Sequence, residues 1–212
     1  MRFSLAPDVY AARVVDDLVF LTIAADTYFC LVDGARHLTL GPNGAVEAQA
    51  EAARDLIAAG LIVEGPTSPR APLPPPIAAE LPIARVRPSL VCLVTAVRAN
   101  LHAARAVKAL SMSQLVALAG PRAQAPTKPP EARLIEASQR FQQLAPWLPR
   151  EGVCLMRSLQ QKLFLATQGL TVNWVFGVRT WPFEAHCWLQ AGDVVLDDTV
   201  EHAGGFTPLF AV

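Results

Sequence analysis

The sequence predicts an α+β protein built from two units, and three observations support this class. Short apolar runs separated by tight turns dominate residues 1–64, and a proline-rich stretch follows at 65–76. Helical spacing of alanine and leucine then fills 77–150, and the rest of the chain combines one helix with β-rich runs. With 212 residues, of which 52% are hydrophobic, the chain is long enough for two small globular units.

Three apolar runs near the N-terminus predict a three-stranded antiparallel sheet. They are separated by Asp16-Asp17 and Ala25-Asp26, which are typical of tight turns, and they are Ala11–Val15, Leu18–Ala24 and Thr27–Val32. Leu38–Leu40 is compatible with a short helix, and Glu47–Ala59 predicts a longer one that ends at Gly60. A three-stranded sheet followed by helices and a closing apolar segment predicts a small winged-helix-like N-terminal domain.

The charge of this domain argues against nucleic acid as a partner. Residues 1–64 hold four arginines and nine acidic residues, a net charge of 4 − 9 = −5. A DNA-binding face needs clustered basic residues to neutralise phosphates, so we do not expect this domain to bind the phosphates of a nucleic acid. Residues 65–212 hold 14 basic and nine acidic residues, a net of 14 − 9 = +5. These opposite signs favour contact between the two parts or with an acidic peptide.

A module of this kind can bind a peptide instead. If the third strand lies at the edge of the sheet, its unpaired backbone groups can accept an extended peptide as an additional strand. The candidate peptide-binding residues are those of this strand: Thr27, Tyr28, Phe29, Cys30, Leu31 and Val32. The alternative is that the three strands only cap the second domain.

Six prolines between Gly65 and Pro76 predict an extended, semi-rigid linker. Beyond it, Leu90–Leu110 predicts one or two helices, because four basic residues interrupt any apolar run of membrane length. Ser113–Ala119 and Glu131–Leu144 predict two further helices. The predicted domains are therefore 1–64, the linker 65–76, and 77–212.

Cys154 is predicted to begin a helix. Gly152 interrupts regular structure just before it, and apolar residues recur at helical spacing from Leu155 as far as Ala166. The free N–H groups and the dipole of a helix N-terminus stabilise a thiolate, which is the reactive form of cysteine. Arg157 lies unfavourably for that dipole, and we expect it to pair with a carboxylate, either Glu184 or Asp197.

A histidine and an aspartate lie on a predicted hairpin. The runs 184–190 and 194–199 flank a predicted three-residue turn with glycine at its centre, Ala191-Gly192-Asp193. If Gln190 pairs with Val194, His186 lies opposite Asp198, with Cβ atoms roughly 5 Å apart, and Asp197 points to the other face.

A helix-start cysteine, a strand histidine and a facing aspartate predict a catalytic triad of Cys154, His186 and Asp198. One alternative is that the cysteine and the histidine are only packing residues. Another is a metal site of Cys154, His186 and Cys187. It is disfavoured because neighbouring strand residues point to opposite faces and no CxxC or HxxxH pair is present. We therefore expect no metal and no other cofactor.

The string Cys154-Leu155-x-Arg157-Ser158, then Phe183-x-x-His186-x-Trp188, a hairpin and Val194-Val195-x-x-Asp198, resembles the B proteins of lasso-peptide biosynthesis. The N-terminal layout is similar to the PqqD-like domain that such proteins carry for recognition of the precursor. Two positions depart from the family: Cys187, where alanine is frequent, and Asp197, where asparagine is common.

This resemblance implies a transglutaminase-like or papain-like α+β cysteine protease domain that removes the leader of a ribosomally made precursor peptide. It also implies a precursor with threonine at the penultimate leader position, and a separate asparagine-synthetase-like cyclase as a partner. Two other functions stay open: a transamidating acyltransferase of the same fold, and a non-catalytic peptide-binding scaffold.

The cysteines and the N-terminus predict a cytoplasmic location without a membrane partner. The four cysteines show no paired spacing, which favours a reducing compartment over a disulfide framework. Residues 1–7 contain no long apolar core of the kind found in a signal peptide.

Overall fold

A computed structural model describes residues 3–67, 69–84, 86–120, 130–148 and 153–212. The chain divides into two compact units by its internal contacts. The first comprises 1–73 with the short segments 177–184 and 207–210, and the second comprises 74–176, 185–206 and 211–212. Helices and sheets occur together, which confirms the predicted α+β class.

Seven strands and one helix form the N-terminal part of the first unit. They are β1 Phe3–Leu5, β2 Val9–Val14, β3 Asp17–Thr22, β4 Thr27–Leu31, β5 Leu38–Leu40, β6 Ala45–Ala48, α1 Ala50–Ala58 and β7 Ile62–Glu64. The strands make a three-stranded sheet in the order β2-β3-β4 and a four-stranded sheet in the order β5-β6-β1-β7. Leu18 and Phe20 of β3 pack with Leu38, Val46 and Leu56 in one apolar core.

The three predicted strands are confirmed, and β4 lies at the edge of its sheet. The predicted helix at Leu38–Leu40 is wrong, because these residues form β5, which pairs with β6. The side chain of Leu38 is buried in the core and Thr39 is exposed, so the segment has the alternation of a half-buried strand. Among the described residues of 3–67 only α1 is an α-helix, and the winged-helix-like fold of this region stays a prediction.

The described residues of the predicted linker 65–76 contain no helix or strand, and each end is held by its own unit. The guanidinium of Arg70 donates to the backbone oxygens of Leu5, Ala6 and Val9 at 2.7–3.1 Å. Within the second unit, Gln190 Nε2 donates to the backbone oxygen of Pro75 at 2.7 Å. The prolines leave backbone oxygens without matching N–H groups, and side-chain donors supply part of what a ladder would.

The second unit contains the longer helices and a five-stranded sheet. Its elements, together with three strands that lie partly in the first unit (β9, β10 and β12), are β8 Ala79–Glu80, α2 Leu90–Ala109, α3 Met112–Leu118, α4 Ala132–Leu144, α5 Cys154–Ala166, β9 Asn173–Arg179, β10 Glu184–Ala191, β11 Val194–Val195, α6 Val200–Ala203 and β12 Thr207–Ala211. The strand order is β12-β9-β10-β11-β8. The helices predicted at 90–110, 113–119 and 131–144 are present within one or two residues, the first as a single helix.

The helix α2 is long and apolar enough, by length and composition alone, to cross a membrane. Core helices of soluble proteins pass the same test, and α2 packs along α5 and α4. Its buried face is built mainly from alanines, and on that face Asn100 Nδ2 donates to Gln160 Oε1 of α5 at 2.6 Å. These contacts are those of a helix that packs within a protein.

The hairpin between β10 and β11 has a different register from the predicted one. Gln190 pairs with Val195 and Ala191 with Val194, so the turn contains two residues, Gly192 and Asp193. Gly192 has a φ of 61°, the left-handed value that the first central residue of a type II′ turn requires. The predicted three-residue turn is therefore wrong. After the Leu196 N–H bonds to the Leu189 carbonyl, the chain leaves the ladder in a bend.

Candidate active site

Cys154 is the first residue of α5, as the spacing of apolar residues predicted. The break at Gly152 lies outside the described residues. Val153 precedes the helix in an extended conformation and supplies no side-chain cap. Its carbonyl oxygen accepts from the N–H groups of Met156 and Arg157, which leaves those of Cys154 and Leu155 without a partner inside the helix. The Cys154 side chain is half-buried there. A half-buried thiol at a helix start is both accessible and exposed to the favourable end of the dipole.

His186 and Asp198 lie together despite the wrong register. His186 Nε2 is 2.6 Å from Asp198 Oδ2, and the two side chains are only 11% and 14% exposed. The pairing does not come from the ladder, because β11 ends at Val195 and the bend that follows carries Asp198 back to the histidine. The structure thus brings Cys154, His186 and Asp198 into one row, with the imidazole between thiol and carboxylate.

The electrostatics of the row favour a thiolate and an imidazolium. Hydrogen bonds from the Cys187 thiol, from His186 and from the Cys187 backbone outweigh burial and lower the pKa of Cys154 to about 4. Burial by itself would lower the pKa of His186, but its bonds to Asp198 and Cys154 outweigh burial and raise that pKa to about 9. Between these values the pair is charged, which is the reactive form of a cysteine–histidine nucleophile.

Asp198 stays ionised because donors surround it. Burial opposes its charge, but hydrogen bonds from His186, His202 and the Thr199 N–H hold its pKa well below the usual range. A carboxylate in this state can fix the tautomer and the orientation of His186 without itself taking a proton.

The neighbouring Asp197 has a different role. It is buried, and it accepts hydrogen bonds of 2.7 Å from the backbone N–H of Leu189 and from Ser158 Oγ. Burial raises its pKa to about 6, since these bonds compensate only in part. Arg157 Nη2 donates to the backbone oxygen of Asp197 at 2.7 Å, so the expected pairing of Arg157 with a carboxylate is replaced by a bond to a carbonyl. Glu184, the other candidate, pairs with Arg179.

Aromatic rings fix the position of His186. Trp188, two residues further along β10, lies parallel to the imidazole with ring centroids 5.9 Å apart, and Phe206 lies 5.0 Å away at a tilt. The indole N–H of Trp188 donates to Gln190 Oε1, which holds the large ring in place. A side chain packed in this way loses little further freedom when it reacts.

Sequence reasoning missed His202. This residue lies on α6, and its Nδ1 is 2.8 Å from Asp198 Oδ2, so one carboxylate oxygen accepts from two imidazoles. The spacing of four between Asp198 and His202 is the available signal, since such residues are neighbours on one helical turn. Among the described residues, the group able to take a metal ion is His186, Asp198 and His202, whose ligand atoms lie within 4.8 Å of one another. This group shares only His186 with the metal site of Cys154, His186 and Cys187 that the sequence disfavours.

Of two cavities in the second unit, one is lined in part by a residue of the row and the other is not. A cleft of about 450 Å³ is lined by Arg157, Asp197 and Asp198 together with glutamines of α4. A larger cavity of about 1000 Å³ lies along α2 and is lined by Arg98, Arg105 and Arg140, but by no residue of the row. Of these two cavities, the smaller includes Asp198 in its lining, although neither Cys154 nor His186 lines it.

The predicted peptide-binding residues belong to the first unit. Thr27, Tyr28, Phe29, Cys30 and Leu31 form the edge strand β4, and Val32 follows it as an exposed residue of the turn. Phe29 is 45% exposed, which is unusual for a ring of this size and leaves apolar surface on an edge strand.

Comparison with known proteins gives one family. Residues 84–211 match the family model described as the transglutaminase-like superfamily, which spans more than half of the chain and all three residues of the row. Neither a curated protein nor a solved structure gives a significant match.

Proposed function

Because the chain belongs to the transglutaminase-like superfamily, whose members typically include cysteine-protease-like enzymes, we propose that it is a cysteine peptidase that uses Cys154, His186 and Asp198. The single observation that carries this proposal is the hydrogen-bonded row in which Asp198 holds His186 at 2.6 Å and His186 faces Cys154. A cysteine that only packs in the core is not expected to have a pKa below that of a neighbouring buried histidine.

The proposed substrate is the precursor of a lasso peptide, and the bond cleaved joins its leader to its core. The resemblance of the Cys154, His186 and Trp188 strings to lasso-peptide B proteins supports this choice. The position of β4 at the end of its sheet supports it as well, because an extended leader can add to an edge strand as a fourth strand. In this proposal residues of the first unit act as a PqqD-like domain that raises the effective concentration of the precursor at the peptidase.

The reaction follows from the charges of the row. The Cys154 thiolate attacks the carbonyl carbon of the amide, so a carbon–sulfur bond forms while the N–H of Cys154 at the helix start offers a bond to the developing oxyanion. The imidazolium of His186 then gives its proton to the leaving amine of the core, and the carbon–nitrogen bond breaks. His186, now neutral, takes a proton from water, and the hydroxide adds to the thioester carbon. The carbon–sulfur bond then breaks, so the leader leaves as a carboxylic acid and Cys154 returns to the thiolate.

The other parts of the site serve this sequence of steps. Asp198 stabilises the imidazolium and keeps the ring oriented, while Trp188 prevents it from rotating away. Asp197, held by Ser158 and Arg157, fixes the bend from which Asp198 projects. The proposed enzyme works in the cytoplasm, beside an asparagine-synthetase-like cyclase that closes the ring of the released core.

Mass spectrometry of a leader–core precursor incubated with the full chain tests the proposal. We expect a free leader that carries a new carboxyl group, and we expect Cys154→Ala to abolish its appearance while Cys92→Ala, a half-buried cysteine of α2, leaves it unchanged. Cleavage by Cys154→Ala at more than a trace of the wild-type rate would overturn the nucleophile. A leader joined to an added amine in place of water would identify the transamidating alternative.

A further inference from the structure

The cluster around Asp198 holds one imidazole more than the proposed peptidase uses. His186 Nε2 and His202 Nδ1 both bond to Asp198 Oδ2, at 2.6 and 2.8 Å, and the two rings meet edge to face at 4.6 Å. In a triad the carboxylate orients one histidine, so the second ring needs another explanation. Two imidazole nitrogens and one carboxylate oxygen form a ligand set that Zn²⁺ takes in open, three-residue sites.

We propose that His186, Asp198 and His202 form a binding site for Zn²⁺, which inhibits the enzyme when it binds. The three ligand atoms lie within 4.8 Å of one another. Zinc bonds of about 2.0–2.2 Å in tetrahedral geometry separate the ligands by about 3.3 Å. The 2.6 Å bond to His186 therefore has to open by roughly 0.7 Å and the 2.8 Å bond to His202 by roughly 0.5 Å, while the two imidazole nitrogens, up to 4.8 Å apart, settle at the same spacing. The exposed His202, with 51% of its side chain in solvent, can make this movement.

The surroundings complete the site. Asp198 Oδ1 is held by the Thr199 N–H, which leaves Oδ2 directed at both rings. Thr199 also caps α6 by accepting from the His202 N–H, and this fixes the start of the helix that presents the second imidazole. On its far side His186 bonds to Cys154, so a zinc-bound ring can keep donating to the sulfur. An outer partner of this kind fixes the tautomer of a ligating histidine.

Zinc at this position takes the nitrogen of His186 that bonds to Asp198 in the free protein. A zinc-bound His186 has no free nitrogen to take a proton from water, and its remaining N–H is a weaker acid than an imidazolium, so occupation of the site inhibits the proposed reaction without blocking the cysteine.

Direct metal binding by the full chain tests the proposal without any substrate, so its result is independent of whether the leader is cleaved. Metal-free protein in a non-thiol reductant is titrated with Zn²⁺ by calorimetry, and with Co²⁺ by visible absorption. We expect one ion per chain, and tetrahedral Co²⁺ bands without the near-ultraviolet absorption of a cobalt–sulfur bond.

Three variants separate this site from ordinary zinc binding by a thiol. His202→Ala should weaken Zn²⁺ binding by more than about tenfold, since loss of an outer partner alone costs that much. Cys154→Ser should keep it within a few-fold, and His102→Ala, which removes an exposed histidine of α2, should leave it unchanged. Asp198→Asn should also weaken Zn²⁺ binding. It replaces His202→Ala as the test of the site if circular dichroism shows that His202→Ala is misfolded.

Two results would overturn the proposal. One is wild-type binding no tighter than that of His202→Ala, which would mean that the cluster is held by hydrogen bonds only. The other is loss of binding in Cys154→Ser together with a cobalt–sulfur band, which would place the ion on the cysteine and histidine.

Discussion

Ser158 Oγ donates a hydrogen bond of 2.7 Å to Asp197 Oδ2, and through it the helix that carries Cys154 is joined to the bend that carries Asp198. The same hydroxyl lies 3.2 Å from the backbone oxygen of Cys187 on β10. One buried side chain therefore contacts the helix, strand and bend that supply the three residues of the row. The row depends on this junction for its geometry as much as on its own hydrogen bond.

Ser158→Ala should destabilise the protein by about 1–3 kcal/mol, because it leaves a buried carboxylate with one donor fewer. Ser138→Ala is the matched control. Its hydroxyl is equally buried on α4 but has no hydrogen-bond partner among the described residues, so its removal should cost far less. Urea unfolding monitored by circular dichroism measures both changes. Equal losses for the two variants would mean that the bond to Asp197 contributes nothing specific.

Asp197→Asn should make folding less sensitive to pH. Burial raises the pKa of Asp197 to about 6, above its ordinary value of 3.8, so the folded state holds a proton that the unfolded state has lost. The stabilisation from this group is present below about pH 4 and is lost as pH rises through about 6. Asparagine has no charge to bury. It can still accept from Leu189 and donate to Ser158, whose hydroxyl then turns to Cys187.

The free energy of unfolding of both proteins at pH 4 and pH 7 tests this prediction. The difference between them should move in favour of the asparagine variant as pH rises, whatever its value at pH 4. A difference that is the same at both pH values would show that Asp197 does not titrate between them.

Asp198→Asn should lower the rate of precursor cleavage far more than Asp197→Asn. Asparagine at 198 can hold His186 in the wrong tautomer, and in serine-peptidase triads the same change lowers turnover by about 10⁴. A cysteine that is already ionised depends less on its base, so we expect a loss of at least about tenfold. Asp197→Asn should remain within a few-fold of the wild type. Initial rates measured in the presence of a metal chelator decide between the two, and equal losses would contradict the separate roles.

Phe29→Asp should weaken binding of the isolated leader peptide to the full chain by at least about tenfold, because it places a charge on the edge where the leader would add. Val63→Asp is the matched control, since Val63 lies on β7, an edge strand of the other sheet, and is similarly exposed, 41% against 45%. Fluorescence anisotropy of a labelled leader measures both. Equal weakening by the two substitutions would remove β4 as the binding edge.

The sequence was informative where one local rule decides the outcome. Apolar spacing located α5 and its N-terminal Cys154, and apolar or β-rich runs bounded by turn residues located β3 and β10. It failed for Leu38–Leu40, where three residues are too few to distinguish a helix from a strand and pairing with β6 decides. It failed also for the turn at Gly192, since the two-residue and three-residue turns both accept glycine.

The three predicted residues of the row lie together, but not through the predicted strand pairing. The predicted register places Asp198 opposite His186 on the ladder, whereas the ladder ends at Val195 and the bend that follows brings the two residues together. Bends of this kind are fixed by tertiary contacts, here those of Ser158 and Arg157 with Asp197, which a pattern along the chain does not contain. His202 was missed for the same reason, since its role depends on where the bend points.

The charged pair of Cys154 and His186 is the central claim, and the pH dependence of alkylation tests it most directly. The rate at which iodoacetamide modifies Cys154 is followed peptide by peptide with mass spectrometry from pH 3.5 to pH 9.5, beside Cys92, whose pKa burial raises. Cys154 should become reactive with a midpoint near pH 4, and Cys92 only under alkaline conditions. In His186→Ala the midpoint for Cys154 should move up, because the hydrogen bond and the charge of the imidazolium are lost while that of Cys187 remains. A wild-type midpoint near that of an ordinary thiol, about 8.5, would contradict the account, because Cys154 would then be a packing cysteine.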